Sequence, residues 1–136
     1  MTLVDAGPLV ALIDAGEPDH QACRDALVGV PRPLVTTWPA LTEAMHLLVR
    51  AGGSRGREAL WRLVLSGRLE VADLTGRAVA RSAELMAEYA DTPMDVADAM
   101  LVALAEERGH RRVFTLDSDF TVYRIHGRQR FEIVPI

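Results

Sequence analysis

Four acidic residues, Asp5, Glu43, Asp98 and Asp117, stand at positions that the pattern of the chain lets converge. Carboxylates gathered in a dry pocket repel one another, and some must take up protons unless a cation joins them. A hard divalent ion resolves the conflict. Mg2+ and Mn2+ take oxygen ligands and keep several waters, which leaves room for a phosphate oxygen and an attacking hydroxide. No His pair or Cys set accompanies the four acids, so the donors favour Mg2+ or Mn2+ over zinc. The natural chemistry of such a cluster is in-line phosphodiester hydrolysis, with one metal activating water and a second, about 3.5–4 Å away, stabilising the leaving oxygen.

Bringing these residues together is the task of a parallel sheet. Thr2 to Asp5 and Leu34 to Thr37 are short β-prone runs, each followed by a proline and a helical pattern. Helices are expected from Pro8 to Asp14, from Pro18 to Val28 and from Pro39 to Ala51, with Gly52-Gly53 stopping the third. Ser54 can cap a further helix through Leu65, Leu69 to Ala72 alternates like a strand, and Thr75 opens a helix that reaches Tyr89. Asp95 begins the helix Val96 to Arg108, Arg112 to Leu116 is a strand that delivers Asp117, and Phe131 to Val134 is a final strand. Short strands separated by helices of crossover length predict an α/β fold, an α/β/α sandwich whose central parallel sheet has about five short strands.

In open α/β sheets, ligands bind beyond the carboxyl ends of the strands, where loops and helix starts meet. Asp5 and Asp117 lie at such ends, Glu43 lies one turn into the helix after the second strand, and Asp98 lies in the first turn of the helix before the fourth. All four can therefore share one rim.

Composition narrows the alternatives. The 136 residues suit one domain, 1–136, with no repeat or linker, and 49% hydrophobic against 25% charged residues is the balance of a folded globule rather than a disordered chain. The apolar stretches fall short of the about 20 residues that span a bilayer. The N-terminus lacks a basic n-region, so the expectation is a cytoplasmic protein with no membrane association. Cys23 is the single cysteine, which excludes an internal disulfide and a thiolate zinc cage; in a helical-looking run it reads as a small apolar residue. All 15 basic residues are arginine. Without lysine, neither a P-loop nor Schiff-base chemistry can operate, whereas the arginine fork still suits phosphate. The net charge of −4 argues against a protein that merely coats nucleic acid, yet divalent ions can neutralise an acidic site locally.

Plainer roles compete for several of these residues. Asp95 and Asp98 have capping-box spacing, and Asp95 reads as an N-cap, while Asp98 shares the rim of Asp5 and Asp117. Asp14, Asp19 and Asp25 read as caps or solvent-facing residues, and Asp117-Ser118-Asp119 taken alone would read as a turn. His20, His46, His110 and His126 are neither paired at ligand spacing nor set beside a nucleophile. Trp38 and Trp61 read as core or interface, since aromatics at 5% are too few for a base-stacking platform. The arginines read as a solvated face, unless one group lines the acidic rim and grips phosphates there.

Four segments together resemble a PIN-domain protein, and the size of the chain resembles the VapC-type toxins of bacterial toxin–antitoxin pairs. They are the strand end Val4-Asp5, the run Thr36-Thr37-Trp38-Pro39-Ala40-Leu41-Thr42-Glu43, the helix start Asp95-Val96-Ala97-Asp98-Ala99, and Phe114-Thr115-Leu116-Asp117-Ser118-Asp119-Phe120. They fall in the family's order and cover nearly the whole chain. The resemblance implies metal ligation by Asp5, Asp98 and Asp117, with Glu43 contributing directly or through water. Asp119 matches a position that is acidic in only some relatives, and Thr115 matches a residue that helps hold substrate or water. The resemblance also implies Mg2+ or Mn2+ as cofactor, an RNA substrate, an antitoxin that blocks the site, and a homodimer.

The leading expectation is thus a metal-dependent endoribonuclease. A PIN-like module that binds RNA or a partner without cutting is the alternative, and the intact acidic set speaks against it. Phosphotransfer through Asp5 would share the architecture, but the domains that do it need a lysine that is absent here.

Overall fold

The strands Thr2–Val4 and Leu34–Thr37 in the middle of the central sheet are buried on both faces, because helices cover both. The computed structural model describes residues 1–135. In chain order the elements are β1 (Thr2–Val4), α1 (Ala6–Ile13), α2 (His20–Gly29), β2 (Leu34–Thr37), α3 (Trp38–Gly52), α4 (Ser54–Leu65), β3 (Leu69–Ala72), α5 (Gly76–Glu88) and α6 (Val96–Arg108). There follow β4 (Arg112–Phe114), a 3-10 turn (Ser118–Thr121), β5 (Arg124–Ile125), β6 (Gln129–Arg130) and β7 (Glu132–Val134). The five-stranded sheet has the order β3-β2-β1-β4-β7 and is parallel throughout. β5 and β6 form a separate antiparallel pair.

Successive side chains of a strand point to opposite faces, and the two halves of the core divide accordingly. Val4, Leu34, Leu69 and Phe114 pack with Leu9, Leu41, Leu48 and Leu60 from α1, α3 and α4. Leu3, Val35, Ala72 and Val113 pack with Leu85, Leu101, Val102 and Tyr123 from α5, α6 and the C-terminal segment. A sheet buried on both sides needs near-continuous apolar strands, as Thr2–Val4 and Leu34–Thr37 are: every residue in them is buried. Of the three buried threonines of β1 and β2, two spend their hydroxyls on backbone carbonyls, Thr2 on Pro31 at 2.7 Å and Thr36 on Val4 at 2.7 Å, and Thr37 caps α3. Among the described residues no helix is long and apolar enough to cross a membrane.

The expected sandwich of about five parallel strands is present, with shifts at the element ends. α1 starts at Ala6, two residues before Pro8, because Asp5 caps it. Ser54 is the first residue of α4 rather than its cap; Gly53, at φ 82°, occupies the cap position without a side chain. β4 stops at Phe114 rather than Leu116: the Thr115 N–H still donates to the Val134 carbonyl at 2.9 Å, and the chain then bends so that the Asp117 N–H meets the Thr115 hydroxyl. The final strand begins at Glu132 rather than Phe131, whose ring is buried against Phe120. The β5–β6 pair is not expected from the sequence, being two strands of two residues each in which only Ile125 is apolar.

Candidate metal centre

Asp5, Asp98 and Asp117 arrive at the rim by the same local device, an acid at the start of a helical segment. Helix N-termini carry unpaired N–H groups and partial positive charge, which favour carboxylates. Asp5 ends β1 and caps α1, its Oδ1 accepting from the Ala6 N–H at 2.8 Å. Asp117 caps the 3-10 turn, its Oδ1 accepting from the Asp119 N–H at 2.9 Å. Asp98 lies in the first turn of α6, where its N–H donates to Oδ1 of Asp95 at 2.8 Å. Carboxylate oxygens of Asp5, Asp98 and Asp117 all lie within 4.8 Å of one another.

Thr115 ties two of these acids together. Its hydroxyl donates to Oδ2 of Asp5 at 2.9 Å and accepts from the Asp117 N–H at 3.0 Å. Only 2% of Thr115 is exposed, so both bonds are dry. The Asp5 N–H donates to the Phe114 carbonyl at 2.9 Å, which locks the end of β1 to the end of β4. The third acid has its own support: the Tyr123 hydroxyl donates to Oδ2 of Asp98 at 3.0 Å.

Asp5 is 7% exposed and Asp98 6%. Burial, followed by the charges of Asp95, Asp5 and Asp117, pushes the Asp98 carboxyl up to about 7, although the Tyr123 bond pulls it down. Burial likewise raises Asp5, against the bonds from Ala6 and Thr115. Glu43 is raised by burial and then by Asp5, Asp95 and Asp117. The Tyr123 hydroxyl is raised by burial and by Asp98, so it stays protonated and donates. The cluster thus holds more negative charge than its surroundings accept, and its donors are all hard oxygens. It fits a hard divalent cation.

Around the acids lies a pocket of about 240 Å3, bordered by Asp5, Gly7, Glu43, Leu47, Asp95, Asp98, Leu116 and Asp117. Residues 2–125 match the PIN domain. The chain belongs to the PIN-domain family. It is similar over 134 residues to Ribonuclease VapC26 of Mycobacterium tuberculosis, at 29% identity, covering 98% of this chain and 99% of that one. Its PIN fold is similar to that of M. tuberculosis VapC20, a sarcin-ricin loop cleaving toxin, with TM-score 0.83, 24% identity, and 90% and 94% of the two chains covered. It is also similar to VapBC2 from Rickettsia felis bound to a fragment of promoter DNA, with TM-score 0.67, 15% identity and 97% of each chain covered.

Within this PIN domain the structure brings together three of the acids expected at the site, Asp5, Asp98 and Asp117. Glu43, exposed on α3, borders the same pocket but is not part of that close group. Asp119 does not border the pocket; its backbone N–H serves Asp117 and its side chain is half-buried in the 3-10 turn. Asp95 caps α6 as expected and also borders the pocket. Among the described residues, no arginine lines it. Arg108 pairs with Glu70, Arg112 pairs with Glu132, and Arg124 caps the carbonyls of residues 121–123. Tyr123 was missed. Its only signal in the sequence was a large aromatic six residues after Asp117, and the pairing with Asp98 spans 25 positions.

Proposed function

We propose that the chain is a metal-dependent endoribonuclease acting as the toxin of a toxin–antitoxin pair. The observation that carries this reading is the set of three carboxylates, with oxygens within 4.8 Å of one another at the carboxyl rim of a PIN fold. Its similarity to a protein named as a ribonuclease supports RNA as substrate. In this reading Asp5, Asp98 and Asp117 hold Mg2+ or Mn2+, and Glu43 contributes directly or through water. A divalent ion bound there supplies a Lewis acid for the phosphate and a more acidic water.

The residues of the chain do the rest. Thr115 fixes Asp5 relative to Asp117, so that two ligands from separate strands keep one geometry. Leu47 and Leu116 border the acids with apolar surface, which thins the water around them and strengthens their field on a cation. Glu43 adds a further carboxylate to the lining of the same pocket.

The antitoxin is part of the proposal, supported by similarity to a toxin–antitoxin complex from Klebsiella pneumoniae and to the Rickettsia felis VapBC2 structure. A groove of about 1500 Å3, away from the acids, offers it a seat. Its bed is apolar, with Leu9, Leu12, Ile13, Leu27, Leu63 and Leu69, and Arg24, Arg32, Arg62 and Arg68 stand along it. An amphipathic segment with acidic flanks matches that surface. A homodimer belongs to the same reading, which sedimentation velocity tests.

The deciding assay incubates purified protein with single-stranded and structured RNA in Mg2+ or Mn2+. Cleavage leaving a 5′-phosphate, abolished by EDTA and restored by added metal, is expected. Cleavage that survives EDTA overturns the metal mechanism, and RNA binding without cleavage in any metal favours a binding module.

A further inference from the structure

We propose that Tyr123 is a positioning residue of the metal centre, its hydroxyl holding one oxygen of Asp98 so that the other faces the cation. The inference rests on the metal-site reading above and adds to it a residue from outside the acidic set.

The hydroxyl of Tyr123 is 3.0 Å from Oδ2 of Asp98, and the tyrosine is completely buried. Among the described residues it is the one protein donor to the Asp98 carboxylate, whereas Asp5 has two, the Ala6 N–H and the Thr115 hydroxyl. Without Tyr123 the plane of the Asp98 carboxylate would be set by nothing but packing.

The ring itself is held in place. Tyr89 and Phe120 meet it edge-on, each with ring centroids 5.1 Å away. The Tyr123 N–H donates to the Asp119 carbonyl at 3.2 Å, and the Asp119 N–H donates to Oδ1 of Asp117. One short turn therefore fixes Asp117 directly and Asp98 through Tyr123, coupling two ligands that lie on α6 and after β4. Outer-shell hydrogen bonds of this kind fix ligand orientation, and their loss typically weakens metal binding about 10–100-fold.

A plain structural role for Tyr123 makes a different prediction, so three proteins are compared by Mn2+ titration calorimetry and by melting in EDTA. They are the parent, Tyr123→Phe and a packing control in the other half of the core, Leu60→Val. Tyr123→Phe keeps the ring and its edge contacts; its Kd for Mn2+ should rise about tenfold or more, and the Mn2+ concentration for half-maximal cleavage should rise in step. Leu60→Val should melt lower yet bind Mn2+ within about twofold of the parent. An unchanged Kd in Tyr123→Phe overturns the proposal, as does a parallel loss of Mn2+ affinity in both variants or a failure of Tyr123→Phe to fold. A parent that binds no Mn2+ overturns the metal-site reading itself; a parent that binds and cleaves beside an unaffected Tyr123→Phe removes the positioning role alone.

Discussion

Asp98 is the residue whose charge the cluster governs most strongly. Its carboxyl is pushed up to about 7, first by burial and then by Asp95, against about 3.9 in an unfolded chain. The cation-free folded protein therefore binds a proton more tightly than the unfolded chain does. The stability this group contributes is complete below about pH 4 and is lost as the pH rises through about 7. In EDTA at pH 8, Asp98→Asn should thus melt above the parent by at least about 3 °C, the shift that about 1 kcal/mol produces at this size. The gap should close below pH 4. Mn2+ should reverse the order by stabilising the parent alone. In cleavage assays, Asp5→Asn and Asp98→Asn should each lose more than about 100-fold, beyond the effect of outer-shell partners, with unchanged circular dichroism. Loss of the fold in either would recast these acids as structural.

Among the elements, the strand ends and helix starts do the positioning, and they were also the most readable feature of the sequence. Asp5 and Asp117 could be placed because each follows a short apolar run, and Asp98 because it follows a cap at Asp95 in an otherwise apolar helix. What joins them was not readable. Thr115 and Tyr123 act through bonds to residues 110 and 25 positions away, and no local pattern records which buried hydroxyl meets which carboxylate. The β5–β6 pair escaped for a similar reason: it is held by tertiary bonds rather than propensity. The buried Glu106 carboxylate of α6 accepts from Arg81 of α5 at 2.8 Å and from the His126 N–H at 2.6 Å. Glu106→Ala should destabilise by about 2 kcal/mol in urea denaturation, less than the ~3–5 kcal/mol of a stripped buried pair, since Arg81 keeps Glu84 and Glu88. Thr115→Val, which keeps the shape, should cost about 1–3 kcal/mol and weaken Mn2+ binding as well, by titration calorimetry.

On the scale of the whole molecule, the carboxylate pocket and the arginine-edged groove are separate surfaces. A net charge of −4 conceals a pocket lined by carboxylates and a separate apolar groove edged by four arginines. If the antitoxin seats in this groove as proposed, its binding and cleavage can be altered independently. Arg62→Glu combined with Arg68→Glu should weaken the cognate antitoxin at least about tenfold, mainly in association rate at low salt, while cleavage by the free protein stays within about twofold. Equal loss of both would place the groove in the substrate path. The most direct measurement on the cluster as a metal site is an anomalous difference map from crystals of the protein soaked in Mn2+. The prediction is a peak bounded by the carboxylates of Asp5, Asp98 and Asp117, absent from Asp98→Asn crystals; Mn2+ bound elsewhere, with these three acids empty, would contradict it.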